Sequence, residues 1–372
     1  MKARWWLGGA VAALPWLQGP VSAEEDLWSA GLYVDLAYAE AFQTGRRIPW
    51  RSKATTQRLN QFSPNLGMFY LRKQASAASP WGWELAGQAG YDTDGQVPAR
   101  ERLPGYSVLR YLSRANVTYR VPVGNGLTLT GGLMNSFIGF ESFYAKDNFN
   151  YTRSWIADYS PYFLLGVGAR YPFGERLAVG FYLLSDYDYL AHRNNQPKYG
   201  AQLAWTLGSE WQLTQNLFLG PEQSDTAPAF WRYFSDTILQ WSGQALTVAL
   251  AYDVGTERLR AEAGQRQTLW MGSALFTRWH LGGPWSLAVR PEFYWDPDGR
   301  LTGARQLLHA VTVTLEYRVP VGSGTVGLRA EYRYDNSTGK EGGFFQPRAG
   351  GLELIPTQQA FFISGWFSYD VR

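Results

Sequence analysis

Cysteine is absent from the 372 residues, which removes disulfides, thiolate metal sites, a cysteine nucleophile and a lipid-modified terminal cysteine together. Charge is scarce too: Asp, Glu, Lys and Arg make up 17%, against about 25% in ordinary soluble domains. The formal net charge is only +3, so nothing in the bulk electrostatics calls for nucleic acid. Long apolar runs are missing beyond the amino terminus, which excludes a bundle of transmembrane helices, each needing about 20 apolar residues. Histidine occurs three times, leaving little material for acid–base or metal chemistry. What the chain has instead is 17 Trp, 23 Tyr and 20 Phe beside 40 Gly. Such aromatic content excludes disorder and leaves a large β-rich protein.

The first 23 residues read as an export signal. Lys2 and Arg4 form a basic start, Trp5 to Leu17 a short apolar core, and Gly19-Pro20 a break before the small residues Val21-Ser22-Ala23. The shortness of the core and Pro15 argue against a membrane anchor. Cleavage after Ala23 leaves 24–372 as one exported domain with a net charge of about +1.

Past residue 26 the dominant period is 2, the mark of strands with one apolar and one polar face. Val326, Leu328, Ala330, Tyr332 and Tyr334 alternate with Arg329, Glu331, Arg333 and Asp335. Ala115, Val117, Tyr119 and Val121 alternate with Arg114, Asn116, Thr118 and Arg120, and the run from Trp285 to Asp296 repeats the pattern. Many runs reach the length of a membrane-crossing strand, about 9–11 residues. Connections alternate in length. Short turns at 76–80, 122–126, 172–176, around Gly208, 242–245, 282–284 and 320–324 separate polar stretches at 43–64, 92–106, 141–158, 185–197, 220–229, 254–266, 297–306 and 336–356. This predicts an all-β transmembrane antiparallel barrel of about sixteen strands (14–18), with short periplasmic turns and long outer loops. Segments 211–219 and 230–241 alternate poorly. Trp81, Trp83, Tyr119, Tyr171, Trp205, Trp285, Phe293 and Trp295 sit near strand ends, where aromatic girdles meet the headgroups.

Motifs that carry chemistry are few. Gly322-x-Gly324-x-x-Gly327 has the letters of a dinucleotide fingerprint, but a strand and not a helix follows it. Asp92-Thr93-Asp94-Gly95 and Asp296-Pro297-Asp298-Gly299 lack the remaining calcium ligands and read as turns. Asp186, Asp188 and His192 could mimic the Asp and His of a rim protease, yet no His-x-Ser signature supports a hydrolase. We therefore expect no enzyme, cofactor or metal. The informative polar set is the inward face, where Glu84, Arg114, Asn116, Arg290, Glu292, Arg329, Glu331 and Arg333 are the candidate pore-lining residues. These charges could pair among themselves, but sixteen strands enclose more space than side chains fill, so a wet channel is expected.

Gly131-Gly132-Leu133-Met134-Asn135 through Glu141, followed by Asn148-Phe149-Asn150-Tyr151-Thr152-Arg153-Ser154, resembles the OmpL-like β-barrel porins of Gram-negative bacteria. The run from Arg290 to Gly299 is similar to a strand end of that family. The resemblance implies an outer-membrane channel for passive diffusion of small hydrophilic solutes, with outer-membrane lipid and the barrel-assembly machinery as partners. It leaves monomer or trimer open. One departure is the carboxy terminus, where Asp370-Val371-Arg372 follows Phe367 and Tyr369 in place of a terminal aromatic. The alternative reading is a non-conducting adhesin or structural barrel.

The third long loop, 141–158, carries Glu141, Lys146, Asp147, Arg153 and Asp158 among Phe143, Tyr144, Phe149 and Tyr151. Rings in that number gain by leaving water, so the loop is expected to fold into the lumen as a constriction, as in general porins. Its acids would then face Arg114, Arg290, Arg329 or Arg333. A surface cap packed on neighbouring loops is the other possibility.

Overall fold

The computed structural model describes residues 28–261, 264–339 and 341–371. The export segment 1–23 lies outside them. Sixteen antiparallel strands close into one barrel. They are β1 Trp28–Ala41, β2 Gln61–Lys73, β3 Trp81–Ala89, β4 Leu112–Val121, β5 Leu127–Asn135, β6 Phe163–Pro172, β7 Leu177–Leu184 and β8 Lys198–Leu207. The second half holds β9 Trp211–Pro221, β10 Trp231–Ser242, β11 Leu246–Ala261, β12 Gly264–Gly282, β13 Trp285–Asp296, β14 Gln306–Val321, β15 Gly324–Thr338 and β16 Thr357–Val371. Each strand pairs with its sequence neighbour, and β1 closes on β16 in a register running from Ala30 opposite Val371 to Ala41 opposite Ala360. Closure leaves no strand edge unpaired, the condition for a sheet in hydrocarbon.

The alternation resolves into an outside and an inside. Along β15, Leu328 and Tyr332 are exposed, while Arg329, Glu331, Arg333 and Asp335 are buried. Val117, Val167, Phe181, Leu250, Val311 and Ile363 belong to the same exposed apolar mantle. The charged face therefore points inward throughout. Aromatic pairs cluster beside the short turns, with Trp81 against Tyr119 at 4.5 Å between centroids and Trp285 against Tyr317 at 4.8 Å. The repeated Pro-Val-Gly turns share a steric need, since Gly124 (φ 54°) and Gly322 (φ 60°) both take the left-handed conformation that a Cβ resists.

Two expectations change. Residues 254–261 and 264–266 are strand and not loop: β11 and β12 stay in register out to Ala261 opposite Gly264. Their polarity marks strands that project beyond the apolar band, not a loss of pairing. Segments 211–219 and 230–241 form the regular pair β9–β10. They alternate poorly because inward positions there are apolar as well, with Phe218, Phe234 and Ile238 buried in the interior beside Tyr187.

Candidate functional site: the lumen and its third loop

Eight outer connections join the strands, and the third, 136–162, lies inside the barrel. Phe143, Tyr144, Phe149, Tyr151 and Trp155 are all buried. A short helix, Trp155–Asp158, is capped by the Ser154 hydroxyl, which accepts from the Ala157 amide. The rest of the loop is irregular, so its main-chain groups have few partners of their own. Burying such groups unpaired costs on the order of 1–3 kcal/mol each, so the wall must answer them.

The wall from β13 to β15 does so with its charges. Arg329 donates to the carbonyls of Ala145 (2.8 Å), Asn148 (2.8 Å) and Asn150 (3.1 Å). Arg290 donates to Thr152 O at 2.6 Å and Arg333 to Arg153 O at 2.9 Å. Carboxylates take the opposite role: Glu331 accepts from the amides of Tyr151 (2.5 Å) and Thr152 (2.9 Å), and Glu292 accepts from the Trp155 amide at 2.5 Å. Asp335 accepts from the Trp155 indole at 2.9 Å. Guanidiniums thus hold carbonyls and carboxylates hold amides, along one face of the lumen. We call this face the cradle.

Most of the expected acid-to-arginine contacts do not form. Among the loop carboxylates, Glu141 alone reaches one of those wall arginines, Arg290 at 2.9 Å. Asp147 pairs with its neighbour Lys146 at 2.9 Å. Arg114 is satisfied by Glu84 at 2.8 Å and by the Tyr144 hydroxyl at 2.7 Å. Asp158 and Arg153 turn to other loops, for a reason the sequence reading missed. Loop 1 (42–60) also folds inward and lies across loop 3. Its Lys53 is fully buried, pairs with Asp158, donates to Arg153 O at 2.7 Å and sits 4.9 Å from the Trp155 ring centroid. Trp50 stacks on Phe362, and Thr55 donates to Asp158 at 2.8 Å. Loop 2 (90–111) contributes Asp92, which pairs with Arg153 at 3.8 Å and accepts from the Thr56 amide at 2.7 Å. Burial pushes the Asp92 carboxyl up to about 7, although Arg153 pulls the other way. Burial likewise lowers the Lys53 ammonium, against the pull of Asp158. Loop 1 is therefore a strap, and nothing about a lone Lys in a polar stretch marks it beforehand.

The opposite wall is different. On β4 to β6 the inward positions Asn116, Thr118, Thr130, Gly132, Gly166, Gly168 and Arg170 are only half-buried. Thr118 and Thr130 bond to each other across the strands at 3.1 Å, and Asn116 donates to Leu133 O at 2.9 Å. Apart from Arg170, these side chains are small or satisfied by their own sheet. Of the eight candidate pore-lining residues, Asn116 and the half-buried Glu84 belong to this side. Arg290, Glu292, Arg329, Glu331 and Arg333 belong to the cradle, and Arg114 is buried against Tyr144 between the two.

The closed barrel has counterparts among known proteins. The family described as "Putative beta-barrel porin-2, OmpL-like" matches residues 29–368. The chain belongs to this family. It is an outer-membrane porin of the Gram-negative type. Solved structures share its fold at low identity. The outer-membrane channel DcaP of Acinetobacter baumannii is 7% identical, with 92% of this chain and 96% of that one covered at a TM-score of 0.57. An anion-selective porin from Comamonas acidovorans is 13% identical, with 92% and 99% covered and a TM-score of 0.56. OmpT of Vibrio cholerae is 9% identical, with 93% and 99% covered and a TM-score of 0.53. A comparison with curated proteins found no match.

At the outer rim of the porin, the acids noted beside His192 serve an ion-pair network. Arg193 bridges Asp186 (2.6 Å), Asp188 (2.7 Å) and Glu222 (2.9 Å). The exposed His192 enters through its main-chain amide, which donates to Glu101 O. Asp296 accepts from the amides of Arg300, Leu301 and Thr302 and so shapes the turn that begins at Pro297.

Proposed function

We propose that small hydrophilic solutes diffuse through the space between loop 3 and the wall β4–β6. The cradle residues Arg290, Glu292, Arg329, Glu331 and Arg333 hold the loop and do not themselves line the path. The constriction is then formed by loop 3 as a whole, with Glu141, Arg153 and Asp158 fixing its fold and Lys146-Asp147 at its tip. The observation that carries this reading is the difference in burial between the two inward faces. One is sealed by a loop bonded to it through main-chain groups, and the other keeps half-exposed threonines, glycines and an asparagine.

The channel acts without catalysis: Asp186 and Asp188, the rim acids beside His192, are held in ion pairs by Arg193. The segment 1–23 serves export, and the last strand is the element presented for barrel assembly. Planar-bilayer recording tests the proposal. Purified protein gives discrete conductance steps, and deleting 144–150 raises their size by removing the loop tip. Folded protein that gives no steps supports the structural barrel or adhesin instead.

A further inference from the structure

Positive charge is distributed unevenly over the lumen, and the surplus stands where the path is open. Among the described residues, Arg120 and Arg170 form no ion pair. Arg120 donates only to Asn125 O at 3.2 Å, and Arg170 has Tyr182 as its neighbour. Both face inward, since Val121 and Tyr171 take the outward parity beside them. Both stand across from Thr128, on the strands that flank it. Two strand spacings therefore separate them, about 9–10 Å.

The opposite side at this level is cationic as well. Glu316 is shared by three guanidiniums: Arg278 at 2.7 Å, Arg318 at 3.1 Å and Arg329 at 2.8 Å. One carboxylate cannot neutralise three cations, so a surplus remains below the loop tip. Lys146 is offset by Asp147. Glu84, on the neighbouring strand β3, is taken by Arg114 at 2.8 Å.

We propose that this porin selects anions, that Arg120 and Arg170 are the specificity-determining pair, and that its solutes are small anions such as carboxylates or inorganic phosphate. The inference rests on the channel reading above. Two guanidiniums on a wet wall act over a Debye length of about 10 Å at 0.1 M salt, enough to cover a path squeezed between them and loop 3. The far more numerous charges of the cradle contribute less, because each is bonded to main chain or to a counter-charge.

The test is the reversal potential across a planar bilayer with a KCl gradient. Wild type should pass chloride in preference to potassium, more strongly at 0.1 M than at 1 M. The double variant Arg120→Gln with Arg170→Gln should lower the chloride-to-potassium permeability ratio by up to about tenfold per charge, since a unit charge about 6 Å away in water shifts the two ions about threefold each in opposite directions. The double variant Arg120→Lys with Arg170→Lys should keep the wild-type ratio. Preference for potassium in wild type, or a glutamine variant that keeps the wild-type reversal potential, overturns the proposal while leaving the channel intact. Folded protein without conductance overturns the channel reading itself, and this one with it.

Discussion

The two walls of the lumen are built from the same period-2 alternation, yet they do opposite things. The inward face of β13–β15 is dense in Arg and Glu, and most of those charges, Arg290, Glu292, Arg329, Glu331 and Arg333, are buried under loop 3. The inward face of β4–β6, from Asn116 to Arg120, Thr128 to Gly132 and Gly166 to Arg170, has Thr, Gly and Asn with two arginines that form no ion pair, and it stays half-exposed. Charge density on a barrel's inner face is thus no guide to where solute passes. It marks where a loop's main chain must be held, because irregular backbone has no ladder to join and needs ionic donors and acceptors in its place. The open path is the wall with little to hold.

Breaking the cradle should have the largest effect. Glu331→Ala leaves the Tyr151 and Thr152 amides and the Thr314 hydroxyl without their acceptor, and removes a charge buried among arginines. Loss of one partner from such a buried set costs about 3–5 kcal/mol. Urea unfolding of the detergent-solubilised barrel should show that drop, and single-channel records should show larger, flickering openings. The equivalent change on the open wall, Thr118→Ala, should stay within about 0.5 kcal/mol.

Unlatching the strap comes next. Lys53→Met leaves Asp158 buried without its cation, at a cost of about 3 kcal/mol. Because the cradle is untouched, the loss should appear as faster hydrogen exchange and protease cleavage in loop 1, while mean conductance holds. A rise in conductance as large as that of Glu331→Ala would show the strap, not the cradle, to be the main hold on loop 3.

Loop packing should also follow pH, in the direction set by buried acids. Asp92 titrates near 7 in the folded loops, against about 3.9 in an unfolded chain. The native state therefore binds the extra proton between about pH 4 and 7, and stability falls as pH rises across that window, by up to ~1.4 kcal/mol per pH unit. Glu222, raised to about 8 by burial at the rim, extends the trend to slightly higher pH. Protection of loops 1 and 2 should be greatest in mild acid, and Asp92→Asn should flatten the part of the profile below pH 7. Smallest in stability is Thr130→Trp, again within about 0.5 kcal/mol, but it places a ring in the open path and should cut conductance. That dissociation of function from stability sharpens the contrast between the walls.

The strand plan could be read from the sequence because period 2 and short glycine turns are local signals, as in the two Pro-Val-Gly turns. Where interior packing overrides the pattern, as at Phe218 and Phe234, the signal fades. At 254–266 polarity imitated a loop, since strands outside the apolar band gain nothing from an apolar face. The aromatic content of loop 3 pointed to the interior, and its rings lie there. What holds it could not be read. Arg329 and Glu331 look the same in sequence whether they face water or main chain, and only the folded loop brings Asn148 O and the Tyr151 amide to them. Lys53 was invisible for the same reason: a lysine in a polar stretch reads as solvated until Asp158 and two indoles are placed around it.

The most direct test uses the absence of cysteine. Thr312 lies on the cradle wall under loop 3 and is fully buried, where the Arg290 guanidinium meets its hydroxyl at 3.2 Å. Thr130 lies on the open wall and is half-buried. The variants Thr130→Cys and Thr312→Cys, each the only thiol in its chain, would be exposed to a charged, water-soluble thiosulfonate during bilayer recording. The two-wall account predicts rapid modification at 130 with a stepwise fall in conductance, and protection at 312 with none. Equal rates at the two positions, or a faster reaction at 312, would contradict it.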